Sequence, residues 1–446
     1  MKSYEFLNRK PYKHQLKTIQ FMLNNKRGYD FSSLGSGKTA SAIWFCDMLF
    51  EAKKIKKVLV VCPLSIMQAV WGEEIREVVP NRSYSIVHGS KIARVKALAK
   101  DAHFYITNHD ALRTYYRELQ DANFDIIIID EVDAYKNPTS KRSKGAQLVT
   151  QYATAVYGLT GTPMANSPME AFGIAKTVNP NKLPTPYKTR WQSMTMIQYN
   201  THTWVANEHA EELVYKVLQP AIRHKLEDCV DIPPITYEYR EFKMGKVQAK
   251  AYKEMVNHQL VELDDGLIIA STAAVKYTKL LQISAGAVYT EKGDVEFYSM
   301  KEKIDEVLHV QKEVGQLIIF VQFIKVADYI GANIPNSKII YGSVSQSKRA
   351  EIIKEFREGK FDVLIAQPRV AAHGLNLQFC STIIFWTPIL GNSYYRQAIG
   401  RIRRSNQKNK QVIINFFSSL AEKRLYKTLE EREISSQLLL DMYKDM

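Results

Sequence analysis

Short, continuous runs of apolar residues alternate along this chain with stretches whose apolar positions recur every three or four residues. In the first half the runs are Val58-Leu59-Val60-Val61, Phe104-Tyr105-Ile106, Asp125-Ile126-Ile127-Ile128-Ile129 and Ala155-Val156-Tyr157-Gly158-Leu159. Runs of this length without polar alternation suit strands covered on both faces, and hence a parallel sheet. Between them, Leu16, Ile19 and Phe21-Met22-Leu23, then Ala40-Ser41-Ala42-Ile43-Trp44, then residues 66–71 read as helices. A second series follows with Leu317-Ile318-Ile319-Phe320-Val321, Ile339-Ile340-Tyr341, Val363-Leu364-Ile365-Ala366, Ile383-Ile384-Phe385-Trp386 and Val412-Ile413-Ile414. Strands alternating with helices at this spacing predict an α/β protein with two doubly wound parallel sheets.

Helical stretches around residues 210–214 and 246–252 flank Pro233-Pro234, a pair that disfavours helix and marks a hinge or linker. The predicted domains are therefore residues 1–235 and 236–446. The last stretch, with Leu425, Leu429, Ile434 and Leu438-Leu439-Leu440, reads as an amphipathic helix packed on the body of the protein.

At 446 residues the chain suits two domains, each large enough for a full core. Its formal net charge of +15 favours a polyanionic partner such as nucleic acid, a generally basic enzyme being the other reading. Cys46, Cys62, Cys229 and Cys380 are scattered and form no CxxC pair, as expected of small apolar residues in a reducing compartment. The N-terminal stretch lacks the apolar run of a secretory signal, and no segment reaches the roughly 18 apolar residues of a membrane span. An intracellular, cytoplasmic protein without membrane contact is expected.

The chemistry centres on Ser32-Ser33-Leu34-Gly35-Ser36-Gly37-Lys38-Thr39, set between a strand and a helix. Gly35 and Gly37 allow close approach of the backbone to a triphosphate. Amides of the loop, Ser36 included, and the helix N-terminus then point at its oxygens, while Lys38 supplies positive charge and Thr39 a magnesium ligand. Ser32 stands where such loops usually open with glycine. Upstream, the planar amide of Gln15 could read an adenine edge. The run 125–129 ends in Asp130-Glu131-Val132-Asp133, and carboxylates at the end of a buried parallel strand lie where open α/β sheets bind ligands. Asp130 would hold Mg2+ through water, and Glu131 would orient and deprotonate the attacking water.

The order of these motifs resembles superfamily 2 helicases and translocases, and more narrowly the Snf2-like group. The resemblance rests on Leu59-Val60-Val61-Cys62-Pro63-Leu64-Ser65, on the acidic pair, on Leu159-Thr160-Gly161-Thr162-Pro163-Met164-Ala165-Asn166 with Glu170, and on residues 222–225 through Asp231-Ile232-Pro233-Pro234. It implies two RecA-like domains with ATP between them and helical protrusions near 165–230 and 245–300. Asp133 stands where Snf2-like motors often carry histidine, and it joins Thr160, Thr162 and Gln397 as a coupling residue. Gln397-Ala398-Ile399-Gly400-Arg401-Ile402-Arg403-Arg404 matches the QxxGRxxR pattern, with Arg401 and Arg404 three apart on one helix face. By resemblance Arg404 is the arginine finger and Arg401 its partner on the γ-phosphate. Gly374 would border the nucleotide and Asn376 the nucleic acid. Pro63, Ser65, Thr107, Gln322, Gly342 and Ser343 complete the expected phosphate-gripping set, which positions a strand without reading sequence.

The resemblance thus implies an ATP- and magnesium-dependent motor tracking 3′ to 5′ on DNA. A compact motor without evident chromatin-reading, nuclease or zinc modules resembles those of phages or bacteria. It suggests remodelling of branched DNA with single-stranded regions, such as forks and Holliday junctions. An RNA helicase, which the DEVD ending supports, and a double-stranded DNA translocase that separates no strands are the alternatives.

Overall fold

The structure is a computed structural model. It describes residues 4–441 except 162–166, 200–203, 230–231, 259, 264–265, 270–272, 291–293, 372–376, 390–391, 404–406 and 408. The chain forms two compact units, one of Met1–Asp231 together with Ile434–Met446 and the other of Ile232–Glu433, whose first boundary falls just before the paired prolines.

The first unit is built on a seven-stranded parallel sheet. Its strands are β1 (Arg27–Asp30), β2 (Val58–Cys62), β3 (Tyr84–Ile86), β4 (Phe104–Asn108), β5 (Ile126–Asp130), β6 (Ala155–Leu159) and β7 (Ala221–Ile222), in the order β3-β4-β2-β5-β6-β1-β7. The unbroken apolar runs are explained by two cores, one per face. Leu59, Val61, Ile127 and Ile129 enter one with helices Lys141–Thr150, Pro168–Val178 and Ala210–Val217. Val58, Val60, Ile126 and Ile128 enter the other with α1 (Lys13–Asn24) and α2 (Lys38–Glu51). Gly173 lets the helix Pro168–Val178 press onto the turn after β5, since a Cβ there would lie 2.4 Å from the Lys136 carbonyl oxygen.

In the second unit a six-stranded parallel sheet comprises β8 (Ile235–Glu241), β9 (Leu317–Phe320), β10 (Ser337–Ile340), β11 (Val363–Ala366), β12 (Thr382–Phe385) and β13 (Gln411–Phe417), ordered β8-β13-β12-β9-β11-β10. Ile318 and Phe320 face one core and Leu317 and Ile319 the other, so the same double covering recurs. The terminal helix Leu420–Asp441 brings Tyr426 and Leu429 onto the first of these cores.

Three expectations change. Residues 66–71 do not form an α-helix: a 3₁₀ turn, Leu64–Ile66, passes into a π-helical turn, Met67–Gly72, before the helix Glu73–Val78 begins. The segments expected to be helical protrusions also carry antiparallel ribbons, Met196–Gln198 with Trp204–Ala206, and Ala287–Tyr289 with Val295–Phe297. The helix expected to carry both arginines ends at Ile399, so Arg401 sits in a tight turn with its N–H on the Ala398 carbonyl at 3.2 Å. Gly400, among the poorest helix formers, marks that change.

Candidate active site

Parallel register brings the carboxyl ends of three strands of the first unit to one level. Asp30 and Asp130 each lie opposite Leu159, on either side of β6. The N–H of Thr160, which is buried, donates to the Asp30 carbonyl at 3.1 Å. The residues singled out around 32–39, 130–133 and 160 are thus gathered at one sheet edge.

Beyond β1 the chain turns through Gly35 (φ +81°) and Gly37 (φ +82°), both in the left-handed region. At Gly37 the need for glycine is double, because a Cβ would meet the Gln15 Nε2 at 2.2 Å. Gln15 is buried with its amide committed to the loop's surroundings: Oε1 accepts from the Tyr12 N–H at 2.8 Å, and Nε2 donates to the Gly37 carbonyl at 3.3 Å. Lys38 folds its ammonium over the loop's own carbonyls, 2.5 Å from Ser32 O and 3.1 Å from Ser33 O. Ser36 is buried, and Thr39 is half-buried in the first turn of α2.

Ser32, the departure at the loop's opening, has a partner from far along the chain. Its Oγ accepts the backbone N–H of His224 at 3.0 Å, and the Ser33 N–H donates to the His224 carbonyl at 2.9 Å. With β7 beside β1, residues 220–224 run as a rail along the strand and into the loop. The His224 ring lies 5.5 Å from that of His14, whose Nε2 is 2.8 Å from Ser36 O. Burial holds the His224 imidazole below its ordinary pKa, so it is neutral at pH 7. A cleft lined by Tyr12, Lys13, His14, Lys17, Arg223 and His224 opens there. Neither histidine carries an expected role in the sequence, although His224 lies within the stretch 222–225 on which the resemblance rests.

At the end of β5, Asp130 accepts two donors. Oδ2 takes the indole N–H of Trp71 at 2.9 Å, and Oδ1 the backbone N–H of Glu131 at 3.1 Å. Trp71 is fully buried in the π-helical turn, the kind of irregularity that re-aims a side chain at functional sites. Glu131 itself has φ +54°, a left-handed backbone that costs a non-glycine residue about 1–2 kcal/mol. Asp133 Oδ1 is buried without a hydrogen-bond partner among the described residues. Burial, opposed by the charge of Lys136, pushes its carboxyl up to about 6. Lys136 pairs with Glu170 at 3.3 Å. Trp71 has no motif signature; only its place after Pro63-Leu64-Ser65 hinted at a role.

Oxygen donors at Thr39 and Asp130 fit a small, hard cation that keeps most of its waters and its substrate phosphates. No cluster of three or more His, Cys, Asp or Glu that could cage a metal occurs among the described residues.

The expected nucleic-acid set divides. Pro63 and Ser65 follow β2 in half-buried positions. Thr107 does not face outward: it is fully buried and its hydroxyl donates to the Val87 carbonyl at 2.9 Å, because β4 lies between β3 and β2 and its side chains fill both cores. In the second unit, Gln322 follows β9 and Gly342 and Ser343 follow β10, and Gln367, after β11, the strand between those two, ties the ends together. Its Nε2 donates to the Gln322 carbonyl at 3.1 Å and its Oε1 accepts the Gly342 N–H at 3.2 Å. Gly342 and Ser343 are exposed, while the Gln322 amide donates to the Pro388 carbonyl. Gln367 occupies the same strand-end position and could have been found by that pattern. Gln397 and Arg401 are buried. Thr162, Gly374, Asn376 and Arg404 lie outside the described residues.

Comparison with known proteins adds to this geometry. The SNF2-related domain model matches residues 14–288, and the helicase conserved C-terminal domain model matches residues 300–406. Protein p41 of Acyrthosiphon pisum secondary endosymbiont phage 1 is 25% identical over 464 aligned residues, covering 97% of both chains. Protein CHROMATIN REMODELING 4 of Arabidopsis thaliana is 24% identical across 96% of this chain, which spans only 21% of that protein's length. The Sulfolobus solfataricus SWI2/SNF2 ATPase core in complex with dsDNA aligns with 98% of this chain and 95% of its own at 21% identity and a TM-score of 0.49.

Proposed function

The chain belongs to the SNF2-related family, whose two domains make it a nucleic-acid-dependent ATPase with RecA-like lobes, and from that premise we propose that it is a DNA translocase or helicase acting on branched DNA. The observation that carries the reading is the convergence of Lys38, Asp130 and Glu131 at one edge of the first sheet. Lys38 would exchange the carbonyls of Ser32 and Ser33 for phosphate oxygens when ATP enters. Thr39 and Asp130 would hold Mg2+, which supplies positive charge to the phosphates. Glu131, held in its strained backbone beside Asp130, would orient the attacking water and take its proton. Arg401 and Arg404 are proposed to offset charge on the transferring phosphoryl group, and Gly374 to border the nucleotide. Asp133, Thr160, Thr162 and Gln397 are proposed to couple hydrolysis to movement.

The exposed strand-end positions Gly342 and Ser343, with Pro63, Ser65, Gln322 and Asn376, would grip phosphates and so bind without sequence preference. The net charge of +15 supports a nucleic-acid partner. Movement along duplex without strand separation is the second reading, favoured by the chromatin-remodelling name of the plant relative.

The test is the steady-state ATPase rate with single-stranded DNA, blunt duplex, fork, four-way junction and RNA, in parallel with Glu131→Gln. Strongest stimulation by fork or junction, lost in the variant, is the expected result. Equal stimulation by blunt duplex supports the second reading, and a preference for RNA overturns the DNA assignment.

A further inference from the structure

The antiparallel ribbon Met196–Gln198 with Trp204–Ala206 belongs to neither main sheet. It is apolar on its outside, with Ile197 59% exposed, Val205 45% and Trp204 38%, and Tyr199, the residue that follows its first strand, is 78% exposed. Ile197 pairs across the ribbon with Val205, so those two share one face, and Trp204 opposite Gln198 lies on the other. An isolated two-stranded ribbon has no core of its own, and large aromatic side chains left in water on it mark a contact surface.

Its root is fixed. The preceding helix, Lys188–Thr195, is pinned by the buried Trp191, whose indole N–H donates to the Pro168 carbonyl at 3.1 Å. Asn207 closes the base, its N–H donating to Thr195 O at 3.0 Å and its side-chain amide to Met194 O at 2.9 Å. Pro168 begins the helix that carries Glu170, the partner of Lys136 beyond the acidic tetrad. The ribbon is therefore held rigidly to an element that reaches the catalytic edge.

Charge decides what it meets. Residues 171–207 contain Lys176, Lys182, Lys188 and Arg190 and no aspartate or glutamate, the nearest carboxylates being Glu170 before them and Glu208, Glu211 and Glu212 after the ribbon. Lys182, Lys188 and Arg190 are exposed, the last two in the first turn of the helix that feeds the ribbon. Exposed rings beside a basic stretch are the combination that binds single-stranded nucleic acid, the cations following phosphates and the rings stacking on unpaired bases. We infer that this ribbon is a base-stacking element that engages unpaired nucleotides of the DNA through Tyr199 and Trp204. The inference rests on the nucleic-acid motor reading and gives that motor a contact with bases besides its grip on phosphates.

The test is fluorescence anisotropy with labelled oligothymidylate and an abasic oligonucleotide of equal length, using the full chain without nucleotide. Tyr199→Ala with Trp204→Ala should weaken oligothymidylate binding on the order of ten-fold or more and leave abasic binding unchanged. Tyr199→Phe with Trp204→Phe, which keeps the rings, should retain wild-type affinity and guards against a folding defect. Photo-cross-linking of a bromouridine-substituted strand should map to Tyr199 or Trp204. Equal loss on both oligonucleotides, or no loss on either, overturns the stacking role. A change of oligomeric state in light scattering with unaltered DNA affinity would make the ribbon a protein interface and also overturn it. Failure of the wild type to bind either oligonucleotide would instead overturn the motor reading beneath it.

Discussion

The indole of Trp71 and the carboxylate of Asp130 are joined at 2.9 Å across a separation of 59 residues. One lies in a π-helical turn after β2 and the other ends β5, two strands that are direct neighbours. With the Glu131 N–H on the other oxygen, the bond fixes the orientation of the carboxylate.

Trp71→Phe keeps most of the apolar bulk and removes only that donor. A group that orients a metal-holding carboxylate is worth about 10–100-fold in metal affinity or activity. The variant should therefore need more Mg2+ for half-maximal ATPase and lose about ten-fold in kcat. Rates measured over a magnesium series check this, with thermal unfolding to confirm that the core survives.

Ser32→Ala leaves the His224 N–H facing a buried methyl group. An unsatisfied buried donor costs about 1–3 kcal/mol, so urea unfolding should show a loss of that size. Nucleotide affinity, followed with a fluorescent ATP analogue, should fall as well, because the rail of residues 220–224 holds the opening of the loop.

Asp133 makes stability depend on pH. Its carboxyl is raised to about 6 from an ordinary value of 3.8, so the folded protein holds this proton more tightly than the unfolded chain. That contribution is fully present below about pH 4 and is lost as the pH rises through 6. The difference corresponds to roughly 3 kcal/mol. Asp133→Asn should abolish this part of the pH dependence and leave the protein more stable than wild type at pH 7. Denaturant midpoints at pH 4.5, 6 and 7.5 for both proteins would show it.

In the second unit Lys303 and Glu422 are both buried, with the Lys303 ammonium 3.2 Å from Ser284 O and over the rings of Trp386 and Phe242. Burial lowers the lysine pKa and raises that of the glutamate, while each charge favours the other. Lys303→Met should cost about 3–5 kcal/mol, since it strands a buried carboxylate, and adding Glu422→Gln should restore part of it. Chemical denaturation of the single and double variants measures the difference.

The phosphate loop, the acidic tetrad and ten of the strands in the two sheets were legible because their signals are local. An apolar run reports its own two-sided burial, and glycine before Lys38 reports a left-handed turn. What was hidden depends on the tertiary arrangement. Nothing near Ser32 in sequence announces His224, and nothing near Asp130 announces Trp71. Thr107 looked like a strand-end hydroxyl, but β4 lies inside the sheet, where polar side chains turn inward to a carbonyl. Exposure of Tyr199 and Trp204 was likewise invisible, since aromatic residues in a short strand usually read as core.

The rail beside β1 has a consequence for biosynthesis. Ser32 and His224 are 192 residues apart, so the wall of the phosphate loop arrives long after the loop itself has been made. On a ribosome adding about 5–20 residues per second, the loop waits roughly 10–40 s for its last neighbour. Nascent chains that stop short of residue 224 should expose one edge of β1 and remain unable to hold nucleotide, which ties the onset of ATP binding to near-completion of the first unit.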